Sequence, residues 1–338
     1  MTLGATLVAS SLATLARPAT WLLALLAFLI RGGIVLLVAP IIVIPSAVGL
    51  ANVVTPTITT MAFTGLSDGV VALVATSLVI VVLWLVGGGL IAAAAEAEAV
   101  VTIADDEELA DAALDRTPPR RARWARRILV ARSLAALPLL LALAAGAVRL
   151  VSVAYRELTV PSETVTPVVV RIVRGAPEAL VAIVVAWMLA EIVGALAARR
   201  IVLADDGAIR ATAFGIRRLV RHPVRSLAAF VVPLLALGAV VTPTAAATSA
   251  AWDAVRASFA SGSSPIVAAA LVALLVVLWS GGLVLVGLVA AWRSAVWTAD
   301  VAGTFGGVAG GRPGDWRLAD PSAKVGDLGP RGADPDAR

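Results

Sequence analysis

The sequence contains no cysteine and only one histidine among its 338 residues. Without cysteine there are no disulfides, no thiolate metal sites and no cysteine nucleophile. A single histidine, His222, cannot build a multi-histidine metal site, and its Arg-His-Pro context predicts a structural residue at a helix end. Phosphate-binding loops, nucleophile elbows, paired catalytic carboxylates and zinc motifs are also absent from the sequence. The sequence therefore predicts no catalytic residue, no cofactor and no metal site.

Charged residues are scarce as well: they make up 14% of the chain, whereas 60% of its residues are hydrophobic. A soluble domain usually carries about a quarter charged residues. A helix needs about 20 mostly apolar residues to cross the hydrocarbon core of a membrane. Regions of that kind are centred near residues 35, 82, 143, 186, 235 and 278. The predicted fold class is all-α, a polytopic integral membrane helix bundle with six transmembrane helices.

The first apolar region is too long for one straight span. Residues 21–54 are apolar apart from Arg31. As one helix they would measure roughly 51 Å, well beyond the bilayer core. This stretch also contains Gly32, Gly33, Pro40 and Pro45. We expect either a broken span or an N-terminal part that lies along the inner interface.

The distribution of arginine predicts the orientation. Residues 96–132 and 198–226 each contain seven arginines, and the segments on the opposite side contain few. Positive residues favour the cytoplasmic side of a membrane. The prediction is a multi-pass protein of the cell (plasma) membrane with both termini in the cytoplasm. The net charge of +5 is then a topology signal rather than a sign of nucleic acid binding.

The two basic segments also predict partners and local structure. We expect them to contact anionic lipid head groups, with a protein partner or a homo-oligomer as a further possibility. The pattern from Ala211 to Val220 predicts an amphipathic helix that stops before Pro223. Residues 303–338 are rich in Gly, Pro and Asp and predict a disordered cytoplasmic tail.

A threefold internal repeat is visible in the even-numbered spans. Each carries a Val-Val-x-Trp sequence followed after the span by Ala-Asp: residues 81–84 with 104–105, 184–187 with 204–205, and 276–279 with 299–300. The alternative is coincidence in a chain rich in valine and alanine. We interpret the pattern as three two-helix hairpins with amphipathic cytoplasmic helices. The repeats are about 5–106, 107–206 and 207–300, within a six-span membrane domain of residues 1–302.

Two charged residues at membrane depth form the candidate polar site. Glu191 follows Trp187 by four residues, where the other repeats have Gly88 and Leu283. Arg31 is the only charge in the first apolar region. An ionisable group at such a depth is costly and usually faces a partner or a cavity. Arg31 and Glu191 therefore form either a substrate or proton site or a neutralising pair that fixes helix packing; Arg31 could also snorkel to the inner surface.

The alternation of amphipathic helix, Arg-His-Pro or Arg-Pro break and apolar hairpin resembles uncharacterised bacterial six-span membrane proteins. These are similar to the membrane domain of some glycerophosphodiester phosphodiesterases. The resemblance rests on residues 217–227 and the hairpin layout, and it covers about residues 5–300. It implies no catalysis, because the hydrolase domain is absent. Mitochondrial carriers have a similar plan, but Pro40, Pro138 and Pro233 lack their charged residue two positions on.

Three functions are compatible with these features. The leading hypothesis is a non-enzymatic scaffold or accessory subunit, because residue types used in catalysis are scarce. The alternative is a transporter or permease component with a polar intramembrane site around Arg31 and Glu191. A lipid-modifying enzyme is the third. A cavity that reaches Glu191 would favour the transporter, and a solid interior would favour the scaffold.

Overall fold

The computed structural model describes residues 3–38, 41, 67–106, 118–160, 162 and 168–306. All regular secondary structure in these ranges is helical, which confirms the all-α class. The helices are α1 Leu3–Leu15, α2 Pro18–Phe28, α3 Ile34–Val38, α4 Asp68–Leu83, α5 Gly89–Asp106, α6 Pro118–Thr159, α7 Val168–Arg174, α8 Pro177–Ala204, α9 Ala208–Arg221, α10 Pro223–Ala260 and α11 Pro265–Gly306. π-Helical segments, Leu29–Gly33 and Trp84–Gly88, join α2 to α3 and α4 to α5.

Six helical segments of the described chain are long and apolar enough to cross a membrane. They are span 1 (Pro18–Leu36), span 2 (Asp68–Asp105), span 3 (Arg120–Glu157), span 4 (Pro177–Ala204), span 5 (Pro223–Ala260) and span 6 (Pro265–Gly303). Span 1 lies earlier than the predicted centre near residue 35. The helix begins at Pro18, where the fixed φ of proline favours a first helical turn, and most of the remainder of the first apolar region lies outside the described residues.

Prolines mark the beginnings of other spans too. Pro177 and Pro223 both occupy the first turn of their helices. The predicted amphipathic helix is present as α9, and it ends at His222, whose φ of −133° leaves the helical region. Its arginines share one face, and apolar residues occupy the other. Pro40, Pro45, the end of the first apolar region and residues 307–338 lie outside the described residues.

Consecutive spans pack as antiparallel pairs. A Cβ added at Gly146 of span 3 would lie 2.9 Å from Ile183 of span 4. Arg132 of span 3 packs on Gly194 of span 4. The contact that comes earlier in span 3 thus comes later in span 4, so the two spans are antiparallel. Spans 5 and 6 approach closely at Gly282, where an added Cβ would lie 2.1 Å from Thr244 Cγ2. Small residues permit this close helix packing.

The buried core is concentrated near α9, at one end of the bundle. Its largest cluster joins α5, α6, α8 and α9, with Trp124, Ile128 and Ile201 fully buried. A second cluster joins α8, α10 and α11 around Phe230 and Trp297. The helix α4 differs from all of these, because none of its residues is buried. The buried charged residues Glu96 and Arg199 belong to helices of this core.

Candidate functional site

A break in span 1 sets the direction of Arg31. Gly32 has a φ of +103°, a backbone conformation that glycine adopts without steric cost, and it interrupts the helix inside the π-helical segment. The neighbouring Gly33 is equally constrained, because an added Cβ would lie 2.3 Å from Phe28 Cε1. The second π-helical segment lies beside this break: an added Cβ at Gly88 would lie 3.1 Å from Ile30 Cγ2. Short π-helical segments are frequent at functional sites.

Glu96 of span 2 is the centre of an ion-pair network. It is 5% exposed and accepts hydrogen bonds from Arg31, Arg132 and Arg199. Arg132 binds it through two nitrogens, with Nε 3.0 Å from Oε2 and Nη2 2.8 Å from Oε1. Arg199 also donates to Ser294 Oγ of span 6 at 3.0 Å. One carboxylate thus links spans 1, 2, 3 and 4, and Arg199 extends the network to span 6.

Glu191 of span 4 forms a second set of ion pairs. Arg293 Nη2 of span 6 lies 2.8 Å from Glu191 Oε2, and Arg132 Nη1 lies 3.7 Å from Oε1. The guanidinium of Arg293 also lies over the ring of Phe230, 5.5 Å from its centroid. The expected direct ion pair between Arg31 and Glu191 is therefore not formed. The break at Gly32 brings Arg31 to Glu96, while Arg132 and Arg293 neutralise Glu191.

These two sets of charges line one cavity of about 320 Å³. Arg31 and Glu191, the two predicted site residues, both line it. Its charged lining consists of Arg31, Arg132, Arg199, Arg293, Glu96 and Glu191. Four guanidinium groups against two carboxylates leave a formal excess of two positive charges. Apolar side chains complete the wall, among them Phe28, Leu36, Leu237 and Val289.

Two residues of the cavity wall each carry a buried N–H group that has no acceptor within the described residues. Arg199 is 3% exposed and its Nε has no hydrogen-bond partner there. Trp297 is 1% exposed, and its Nε1 is likewise unpaired in the described part of the chain. Buried polar groups are nearly always hydrogen-bonded, so each such exception points to a strained group or to a partner that is not part of the chain.

Sequence reasoning missed most of this site. Glu96 lies near the predicted cytoplasmic end of span 2, where the sequence predicts an interfacial residue, yet it is buried among three arginines. Arg132 and Arg199 were interpreted only as topology signals, and Arg293 was not singled out. A usable signal was present: Glu96 and Arg199 each lie twelve residues after a repeat tryptophan, Trp84 and Trp187.

A second polar cluster closes the ends of spans 4 and 6. Asp205, the αL residue that ends α8, accepts hydrogen bonds from Arg127 Nη1 at 2.9 Å and Trp124 Nε1 at 3.0 Å. Asp300 is 1% exposed and binds Arg218 Nη2 at 2.8 Å and Arg225 Nε at 2.5 Å. The Ala-Asp sequences of the predicted repeat thus supply structural carboxylates. His222 lines a small cavity beside Asp300.

Comparisons with known proteins found no match for this chain. No protein family matches the sequence, and no curated protein or solved structure is similar to it. The resemblance to six-span bacterial membrane proteins therefore stays a prediction. Function has to be argued from the cavity and its charges.

Proposed function

We propose that this chain is a multi-pass membrane protein that binds a small molecule in the cavity between its spans, as a transporter or permease component. The observation that carries this proposal is a cavity lined by six charged side chains from five of the six apolar spans. Ionisable residues inside a membrane usually mark a substrate or ion pathway. The cavity reaches Glu191. A cavity of this kind is expected in a transporter, whereas a scaffold is expected to have a closely packed interior.

The arginine distribution supports a cellular location and a membrane topology for this protein. We place the protein in the plasma membrane with six spans and both termini in the cytoplasm, because the basic segments 96–132 and 198–226 flank the same ends of the spans. The architecture we propose is three repeated two-helix hairpins. It is supported by the antiparallel packing of spans 3 and 4 and of spans 5 and 6.

The absence of cysteine allows a direct test with single-cysteine variants. Ala290→Cys places a thiol on the cavity wall. Ala273→Cys is the matched control on the same span, because Ala273 is exposed on the outer surface of the helix and does not line the cavity. Each variant is reconstituted in vesicles and treated with a membrane-impermeant methanethiosulfonate reagent, added first outside and then inside.

We expect the thiol at position 290 to react and the thiol at position 273 to stay unlabelled in lipid. A reaction from both sides of the membrane indicates that the cavity opens alternately, as transport requires. A reaction from one side fits a binding site of a permease component. If position 290 reacts no faster than position 273 from either side, the cavity is closed to solutes and the proposal is wrong.

A scaffold or accessory subunit is the second candidate, favoured by the exposed helix α4. Leu73, Leu78 and Leu83 are each more than 60% exposed, and no residue of α4 is buried. Such a helix could pack against a partner as well as against lipid. Co-purification in mild detergent, comparing the wild type with Leu73→Ala and Leu78→Ala, tests this. A stoichiometric partner lost only in the variants would favour the scaffold.

A further inference from the structure

The charge balance of the cavity defines the class of molecule that it accepts. Its lining carries four arginines and two glutamates. All four guanidinium groups stay charged at any physiological pH. An uncompensated charge in a poorly solvated site is unfavourable, and an ion of opposite sign removes that penalty. The two excess positive charges therefore favour an anion, and a dianion balances them fully.

The geometry of the donors narrows this class further. Arg199 is nearly completely buried, and its Nε has no acceptor among the described residues. Trp297 Nε1 is a second buried donor without an acceptor in the described chain. Guanidinium groups bind phosphate and carboxylate oxygens through paired hydrogen bonds. A phosphate monoester carries three acceptor oxygens and close to two negative charges at neutral pH, so it matches the excess charge and the guanidinium groups of the lining.

The rest of the lining indicates that the phosphate carries an apolar group. Phe28, Leu36, Leu237 and Val289 form part of the wall. A volume of about 320 Å³ exceeds what a bare phosphate ion needs and lies at the small end of ligand pockets. Resting on the proposed function, we infer that the cavity binds a phosphate monoester with an apolar portion, either a lipid whose head group is a phosphate monoester or a soluble phosphate ester.

Charge variants of opposite sign test this inference. Arg293→Gln lowers the excess charge to one, whereas Glu191→Gln raises it to three and frees N–H groups of Arg293 and Arg132. We expect Arg293→Gln to weaken phosphate binding by about 10- to 100-fold. Glu191→Gln should strengthen binding by about tenfold. A purely structural role predicts weaker binding in both, because each variant breaks the same ion pair.

The soluble probe is phenyl phosphate, titrated by calorimetry into the protein in lipid nanodiscs. Benzylammonium, of similar size and opposite charge, is the control ligand. Arg149→Gln is the control variant, because Arg149 is half exposed, pairs with Glu178 and does not line the cavity. Its affinity for phenyl phosphate should equal that of the wild type.

Native mass spectrometry of the detergent-purified protein separates the two sources of phosphate. A phospholipid retained by the wild type and lost in Arg293→Gln identifies a lipid head group. No retained lipid, together with tight binding of phenyl phosphate, identifies a soluble ester. The inference is wrong if the protein retains no phospholipid and does not bind phenyl phosphate, or if it binds benzylammonium more tightly than phenyl phosphate. It is also wrong if Arg293→Gln and Glu191→Gln change the affinity for phenyl phosphate in the same direction. Cysteine labelling at position 290 does not depend on ligand charge, so the two proposals fail separately.

Discussion

Glu96 and Arg199 lie at the same step after the tryptophans of their spans, twelve residues beyond Trp84 and Trp187, and they bind each other. Positions that are equivalent in the predicted repeat thus carry opposite charges that meet inside the bundle. A packing role alone is served by small residues, and Ala291 occupies this step after Trp279. The ion pair therefore holds spans 2 and 4 together at the cavity.

Glu96→Gln should be among the most destabilising single changes in the protein. The variant leaves Arg31, Arg132 and Arg199 without their shared carboxylate. Removing one partner of a buried ion pair costs about 3–5 kcal/mol, because the remaining charge stays desolvated. Unfolding in detergent measures the loss. The control is Glu178→Gln, whose side chain is 59% exposed, and it should lose much less stability because its ion pair is screened by solvent. Equal losses in both variants would contradict a central role for Glu96.

Double-variant cycles should show that Arg31 couples to Glu96 more strongly than to Glu191. Arg31 and Glu96 are in direct contact, whereas Glu191 binds Arg293 and Arg132. Contacting charges usually couple by about 0.5–3 kcal/mol. The cycles use Arg31→Leu with Glu96→Leu and with Glu191→Leu, followed by thermal melting. A larger coupling with Glu191 would restore the pairing expected from the sequence.

Gly32→Ala should destabilise the protein through the backbone alone. The φ of +103° at Gly32 is unfavourable for any residue with a Cβ, although the space around it is open. The expected loss is about 1–2 kcal/mol, with a displaced Arg31. Gly238→Ala is the control, since Gly238 lies in the middle of α10 with open space and no positive φ. The control change should raise the free energy of unfolding by about 0.5–1 kcal/mol. If both changes raised the free energy of unfolding, there would be no backbone strain at position 32.

Asp300→Asn should loosen the contact between span 6 and α9. Asp300 is almost fully buried and pairs with Arg218 and Arg225. We expect a loss of about 3–5 kcal/mol in the free energy of unfolding. Asp253→Asn is the matched control, because Asp253 is 62% exposed and pairs with Arg256 three residues away. Amide hydrogen exchange in α9 should become faster in Asp300→Asn. Unchanged exchange would show that the ion pair between Asp300 and Arg218 does not stabilise the packing of α9 on span 6.

Reporter fusions test the predicted orientation. Alkaline phosphatase fused at Ser261, between spans 5 and 6, should be active, because it lies outside the cytoplasm in the proposed topology. A fusion at Gly207, beside the basic helix α9, should be inactive. The reverse result at either position would overturn the six-span topology.

Periodicity and composition were sufficient for much of the fold. Long apolar runs predicted the helices, and Pro223 predicted the end of α9 and the beginning of span 5. The partners of Glu191 could not be predicted in this way. They depend on how span 6 packs against span 4, and on a break at Gly32 that turns Arg31 toward Glu96. Such three-dimensional pairings leave no trace in the local pattern of hydrophobicity.

The network around Glu96 also bears on the order in which the chain is made. Arg31 leaves the ribosome 65 residues before Glu96, and Arg199 follows Glu96 by 103 residues. An arginine at the centre of a span costs about 2.5–3.5 kcal/mol on translocon scales. Span 1 therefore has no internal counter-charge until span 2 is synthesised, and Glu96 has its full set of arginines only after span 4. In the proposed topology, membrane insertion of the first four spans is then expected to be one cooperative event rather than four independent ones.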